Sequence, residues 1–556
     1  MTPPFRRAHL LVVLHGLWGS PSHVRYVGES VLKTTRSNRD SKEENPIELV
    51  VLNAKQNEFT ATYDGIDLCA ERVLNEIDEE IQRIEQEGAK VERFSIVGYS
   101  LGGLVARYVL GLLDSRTPSF FDTVKPVNFT TFASPAIGIP KYETFWSGVF
   151  RFLGARLLSR SGSQLYENDR FLPSRFNPSS PDYSTSPDYS TPPSEKALKK
   201  RFTFGRKKEK AEPLLKILAD PQFSFFRALC KFQRIDVYAN AVNDRTVPFP
   251  TGAFELHDPF ALARAKARKA AVERGDDPEG DLDLIDGGLE ITLHEDAPIV
   301  TSYRVLESDS TAKKPIRKRR FVIRLPLLLR PTTYPFSRPV SLLVIALLPV
   351  ALPLSVVYLI GRFLVQGRDS KRRIRELRKI TAGERGREGM LERVGVRMRE
   401  VAEQVGTDNP EYAANLSGDE EDNSLLSTTR QDTRARTEDN NYGAIAETTP
   451  ATSGASTPAL LRGGSPPRNL SSPSDFEELS QPDHPEARKF STDPVFTPSQ
   501  LYQLQQLNSL PQLRKHFVYL PKSRNAHGAI VRRSPEFEQH RIGSKVIDFW
   551  SSEFIL

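Results

Sequence analysis

One short run narrows the folds open to this chain. Gly98-Tyr99-Ser100-Leu101-Gly102 sits between an apolar stretch, Phe94-Ser95-Ile96-Val97, and a helix-forming one, Leu104-Val105-Ala106-Arg107-Tyr108-Val109-Leu110. A strand, a tight turn and a helix in that order lift a serine hydroxyl to the edge of a sheet. Glycines flank it two residues away because the backbones there approach too closely for a side chain. Taken alone the pattern is weak, since glycine and serine are common. A second run strengthens it. His9 to Leu14 reads as a buried strand and ends in His15-Gly16-Leu17-Trp18-Gly19, a loop placed to face the serine turn. The backbone N–H groups of Leu17 and Leu101 would then form a hole for an oxygen anion. The plainer alternative is a turn after a core strand with a lone histidine.

Two such motifs in this order, each ending a strand, predict an α/β architecture of the α/β-hydrolase type. Its mostly parallel central sheet is expected to be interrupted by a lid and linker and by a long, partly disordered membrane-anchoring insertion. Ser100 is the candidate nucleophile, with Gly98 and Gly102 shaping its turn. The runs His15-Gly16-Leu17-Trp18-Gly19, Thr62-Tyr63-Asp64-Gly65-Ile66-Asp67, Gly98 to Leu104, Phe132-Ala133-Ser134-Pro135 and Asn243-Asp244-Arg245-Thr246-Val247-Pro248 together resemble the fungal putative lipases of the putative serine esterase family. The resemblance covers about residues 8 to 255 and 511 to 550. It implies hydrolysis of acyl esters of membrane or stored lipids, with phospholipases and monoacylglycerol lipases among the relatives, some of them on lipid droplets.

The partners of Ser100 follow from chain order. In this fold the serine comes first, then an acid, then a histidine, each on a loop after a later strand. Val127 to Phe132 and Ile235 to Asn240 are β-rich runs bounded by turn residues, and Asp244 lies just past the second. An Asn-Asp turn bonding its own backbone is the alternative use of this pair; the family motif favours the acid role. Of nine histidines, His9, His15 and His23 precede the serine. His257 and His294 lie in a polar stretch with no strand read before them, and His484 in a Ser/Pro-rich region. His516 would open the run Phe517-Val518-Tyr519-Leu520, and His540 falls in a later helical or loop segment. His527, on the loop after that run, is the expected base, and the family's C-terminal histidine motif matches it too.

Composition sets the organisation. The chain has 556 residues, only 38% hydrophobic, with 33 Gly and 41 Pro, so a large part is expected to be unstructured. Its two cysteines, Cys69 and Cys230, cannot build a disulfide framework, and Met1 to Arg7 is too short and basic for a signal peptide. A cytosol-facing protein is expected. The net charge of +7 is modest and the basic clusters lack interleaved aromatics. Nucleic-acid binding therefore has little support. No metal site or cofactor motif is read.

The expected divisions are a core over 1–255 carrying a lid and Ser/Pro-rich linker at 141–212, a variable insertion over 256–335, and a hydrophobic segment at 339–361. A charged helix over 362–405, a disordered stretch over 406–510, and the rest of the core over 511–556 follow. Tyr142, Phe145, Trp146, Phe150 and Phe152 suit a lipid-facing lid or, equally, a core helix. The linker holds a tandem Ser-Pro-Asp-Tyr-Ser-Thr at Ser180 and Ser186.

Pro339 to Gly361 is a run of 23 residues without a charge, long enough to cross a bilayer. Pro349 and Pro353 interrupt it, and basic residues flank both ends. One complete crossing would put His527 on the opposite side from Ser100 and Asp244. Either the segment returns as a proline-hinged hairpin within one lipid layer, or a second crossing exists, or His527 is not the base; the hairpin is the favoured expectation. Phe321 to Phe336, with two arginines and three prolines, is too short for a return crossing. Arg372 to Val405 reads as a helix on an anionic membrane surface or a solvated charged helix.

These readings point to a lipase or phospholipase that uses a Ser100, Asp244 and His527 triad on lipid substrates, at a lipid droplet or the cytosolic face of the endoplasmic reticulum. An acyltransferase with the same triad and an inactive hydrolase-fold scaffold are the alternatives.

Overall fold

The computed structural model describes residues 6–37, 46–171, 211–274, 284–306, 338–383 and 493–556. The tandem repeat, the run Phe321 to Phe336 and residues 384–492 lie outside them.

Eight strands form one sheet in the order β2-β1-β3-β4-β5-β8-β7-β6. They are β1 Arg6–Leu14, β2 Glu48–Asn53, β3 Ala89–Tyr99, β4 Lys125–Phe132, β5 Arg234–Asn240, β6 Leu289–Leu293, β7 Ile299–Val305 and β8 Leu513–Val518. Strands from β2 to β8 pair in parallel, and β7 and β6 complete the edge antiparallel. β1 and β5 are buried almost throughout because helices cover both faces of a parallel sheet. α2, Ile66–Gln86, buries Ile66, Cys69, Ala70, Val73, Leu74 and Ile77 at the spacing of one helical face. α3, Leu101–Asp114, is buried nearly all round. On the other face α1, Arg25–Ser37, and the helix Gly543–Ser552 pack together, with Trp550 donating to Thr130 Oγ1 at 3.0 Å.

Four expectations are corrected. The 256–335 region is not wholly an insertion outside the core: the helix Pro259–Arg274 and strands β6 and β7 belong to it, and β7 pairs with β8. His294 consequently does follow a strand. Residues 493–510 are folded rather than disordered, the helix Pro498–Asn508 being closed by a Thr497/Gln500 capping box. β8 starts at Leu513 rather than Phe517, which puts His516 inside it.

The fourth correction concerns the hydrophobic segment. Arg338–Gly383 is one continuous helix with Pro349 and Pro353 inside it, and no hairpin forms. A proline costs a helix one hydrogen bond and bends the axis, but reversal requires turn residues between the two arms. Between the two prolines, Val350-Ala351-Leu352 holds no Gly, Asn, Asp or Ser to reverse the chain, and the helix runs through. The charged segment from Arg362 is the same helix continued. Two shorter helices, α4 Phe145–Leu157 and α5 Ser159–Leu165, lie beside it, and Phe145 and Phe152 of α4 are exposed.

Candidate active site

The serine turn closes as its sequence requires. Ser100 has φ 55° and ψ −123°, a conformation side-chain-bearing residues seldom adopt. Its N–H donates to Phe132 O of β4 at 2.9 Å. A Cβ at Gly98 would run into the Gly103 backbone, and one at Gly102 would lie 2.6 Å from Leu14 O. β1 thus reaches the turn closely enough to bring its own loop alongside. Gly16 of that loop rests on the nucleophile, since a Cβ there would come within 2.7 Å of Ser100 Cβ. The loop holding the Leu17 amide therefore lies against the turn holding the Leu101 amide. His15 is buried with Nδ1 donating to Gly16 O at 3.0 Å, and burial lowers its pKa, so it is a neutral brace.

Loops after β5 and β8 bring two more groups to Ser100. His527 Nε2 lies 3.0 Å from Ser100 Oγ, and His527 Nδ1 lies 3.1 Å from Asp244 Oδ2. Ser100 and His527 are each only 6% exposed. Asp244 uses both oxygens: Oδ1 accepts from the Thr246 and Val247 amides at 2.9 and 2.8 Å, and Oδ2 also accepts from Asn240 Nδ2 at 2.8 Å. Burial alone would raise its pKa. The charge and hydrogen bond of His527, with the Val247 and Asn240 donors, outweigh burial and hold it below the ordinary carboxylate value. A carboxylate fixed in this way orients the imidazole and favours the Nδ1–H tautomer, leaving Nε2 to accept the serine proton.

Support for the histidine comes from residues the sequence did not single out. Asn243, at φ 63°, donates from Nδ2 to Leu520 O and Pro521 O, and its carbonyl accepts from Ala526 N at 3.0 Å. This one residue ties the acid loop to the histidine loop. Tyr99 donates to His527 O at 3.0 Å and places its ring 5.1 Å from the imidazole. Asn525 caps the short helix Ala526–Ala529 by accepting from His527 N. The position of Asn243 beside Asp244 and of Tyr99 beside Ser100 was the available signal, but their partners are hundreds of residues away.

Four other described histidines have other occupations. His516 Nε2 meets Asp236 Oδ1 at 2.9 Å and stacks on Tyr238; His257 pairs with Asp493; His540 Nδ1 accepts from Ser534 N. His9 is buried against Ser95 Oγ, with its pKa lowered to about 3 by desolvation and Arg93. Cys69 is buried and free, its thiol pushed up to about 12 mainly by desolvation. Among the described residues no group of His, Cys, Asp and Glu could hold a metal ion.

Three folds carry such side chains in three different chain orders. Serine, then acid, then histidine, here after β3, β5 and β8 of a mostly parallel sheet, is the order of the α/β-hydrolases, and that is the class of this fold. Residues 5–256 match the family model described as "Putative serine esterase (DUF676)". The chain is 27% identical over 260 residues to "Putative lipase ROG1" of Saccharomyces cerevisiae, covering 46% of this chain and 30% of that protein. It is 24% identical over 257 residues to "Putative lipase C4A8.10" of Schizosaccharomyces pombe, covering 45% and 26%. The chain therefore spans under a third of the length of these relatives. Over less than half of its length the chain is thus similar to fungal proteins described as putative lipases.

Proposed function

We propose that this protein is a serine hydrolase that cleaves acyl esters of phospholipids, lysophospholipids or monoacylglycerols at a lipid surface. The observation that carries the reading is the continuous relay from Ser100 Oγ through His527 to Asp244, with contacts of 3.0 and 3.1 Å. His527 takes the serine proton as Oγ attacks the ester carbonyl. The Leu17 and Leu101 amides stabilise the oxyanion, and His527 returns the proton to the departing alcohol. Water, activated by the same imidazole, then releases the fatty acid.

The lipid surface enters through the long helix. Ile345–Glu376 is apolar enough for a membrane, and the most apolar window of it is not buried anywhere in the fold. Leu354 and Val357 are 63% and 68% exposed, an arrangement that is costly in water and favourable in hydrocarbon. Because the triad is assembled on one side, the helix is proposed to enter one lipid layer from that side, at a lipid droplet or the cytosolic face of the endoplasmic reticulum.

Incubating the purified protein with vesicles of each lipid class and measuring released fatty acid tests this reading. Fatty acid from at least one class, lost in Ser100→Ala, supports it. Transfer of the acyl group to an added alcohol with no free acid would identify an acyltransferase. Failure of a fluorophosphonate probe to label Ser100 would leave a scaffold without catalysis.

A further inference from the structure

The second half of the long helix is not a free tether. Phe363, Gln366, Ser370 and Arg373 recur at helical spacing on one face, and each has a partner around the loop that carries Leu17. Phe363 stacks on Trp18 with ring centroids 5.6 Å apart. Trp18 Nε1 donates to Tyr63 OH at 2.6 Å, and Tyr63 OH in turn donates to Gln366 Oε1 at 3.2 Å. Ser370 Oγ lies 3.1 Å from Ser159 Oγ of α5. Arg373 is buried, bonds both Asp64 oxygens at 2.8 and 3.0 Å, and donates to Thr60 O at 2.8 Å. The opposite face, with Leu364, Arg368, Lys371 and Arg375, is exposed.

Trp18 itself is held under strain. Its φ of 54° is unfavourable for a bulky residue, and such a conformation persists only where surrounding contacts impose it. Three contacts do so: Thr62 Oγ1 accepts the Trp18 N–H at 3.2 Å, Tyr63 takes the indole N–H, and Phe363 covers the ring. The turn Phe59–Tyr63 is the bridge, bonded to the loop through Phe59 N and Gly19 O at 2.9 Å and to the helix through Arg373.

We propose that Phe363, Gln366 and Arg373 are positioning residues for the hydrolysis. Docked on the Phe59–Tyr63 turn, they hold Trp18 and therefore the neighbouring Leu17 amide where the oxyanion forms. The helix that enters lipid is thereby also a brace of the oxyanion hole. This inference rests on the esterase reading given above.

The test uses the full chain in detergent micelles with a soluble short-chain nitrophenyl ester, in a Cys230→Ser background because Cys230 is exposed. Arg373→Met leaves Asp64 paired with Arg72, so the core keeps a neutralised carboxylate. Its kcat is expected to fall about 10²-fold with KM changed far less, the cost of misplacing one oxyanion donor. Arg373→Lys should recover part of the loss, and Arg375→Met on the exposed face none of it should incur. A disulfide between Ser159→Cys and Ser370→Cys, which re-docks the helix without Arg373, should restore kcat to Arg373→Met and lose the effect on reduction. Wild-type kcat in both Arg373→Met and Phe363→Ala would overturn the proposal, as would a loss that the disulfide fails to restore. Wild-type protein that neither hydrolyses the ester nor labels with a fluorophosphonate would overturn the esterase reading first, and this inference with it.

Discussion

Two helices of this molecule invert one another. α3, which begins just after Ser100, is apolar on nearly every side and buried nearly all round, so its environment is the core of the sheet. The helix Arg338–Gly383 exposes its apolar half and buries a charge, Arg373, from its basic half. Hydrophobicity alone does not distinguish them. What does is whether apolar side chains have somewhere dry to go: α3 has the sheet, whereas the first half of the long helix is left uncovered by the described residues. The buried arginine is explained in the same way, by a partner rather than by a scale. Asp64 is fully buried between Arg72 and Arg373, and a buried carboxylate needs such partners.

The largest effects belong at the head of α3. Ser100→Ala and His527→Ala should each lower kcat/KM for a short-chain ester by roughly 10⁴-fold or more, because the relay acts as a unit. His516→Ala and His540→Ala should stay close to wild type. A dead His516 variant with an active His527 variant would transfer the base to the His516–Asp236 pair. Asp244→Asn should cost about 10⁴-fold in kcat while the protein remains folded. Its pKa is depressed in the folded state, so it contributes stability above the ordinary carboxylate value that is lost as pH falls through the lower folded value. Acid unfolding of Asp244→Asn followed by circular dichroism should lack that acid-side component.

Next in size is the buried charge. Asp64→Asn leaves Arg72 and Arg373 facing each other without a carboxylate, and about 3–5 kcal/mol should be lost in urea unfolding. A loss under about 1 kcal/mol would mean that water reaches the site and that the two helices are less different than they look. Deleting 339–361 should then release the protein from vesicles or lipid droplets in a flotation assay. Turnover of a soluble ester should stay within about threefold of wild type, since Phe363 to Arg373 remain and the removed residues belong to no strand. Retained flotation would place the lipid contact elsewhere, with the exposed Phe145 and Phe152 of α4 as the next candidates. The smallest effect is the sharpest contrast. Val357→Ser should change unfolding free energy in detergent-free buffer by no more than about 0.5 kcal/mol, whereas Leu104→Ser in α3 should cost several.

Much of the site was legible because its constraints are local. A serine between two glycines at a strand end, a glycine-rich loop after β1, and an Asn-Asp pair after β5 are each written within a few residues, and backbone crowding makes those residue types necessary. Chain order removed only the three histidines before Ser100. Choosing His527 from the others rested on the strand read before it and on the family's C-terminal histidine motif, and the ground used against His294 fails because β6 precedes it. The start of β8 and the strands β6 and β7 were not legible in the same way. His516 lies in a strand because Asp236 and the stacked Tyr238 complete it from β5, and the β6–β7 hairpin is mostly exposed, so its hydrophobic pattern is faint.

The sequence by itself therefore marked which serine, which acid and which histidine could form a relay, and which one segment is long and apolar. Tertiary structure decided everything that depends on a distant partner. It chose a continuous helix over a hairpin, folded 493–510 onto the core, and set Asn243 between two loops. It also buried Arg373 against Asp64, more than 300 positions earlier in the chain. The physical reason is that crowding and periodicity act between neighbours in sequence, whereas neutralising a buried charge or bracing a strained tryptophan requires a group that only folding brings near.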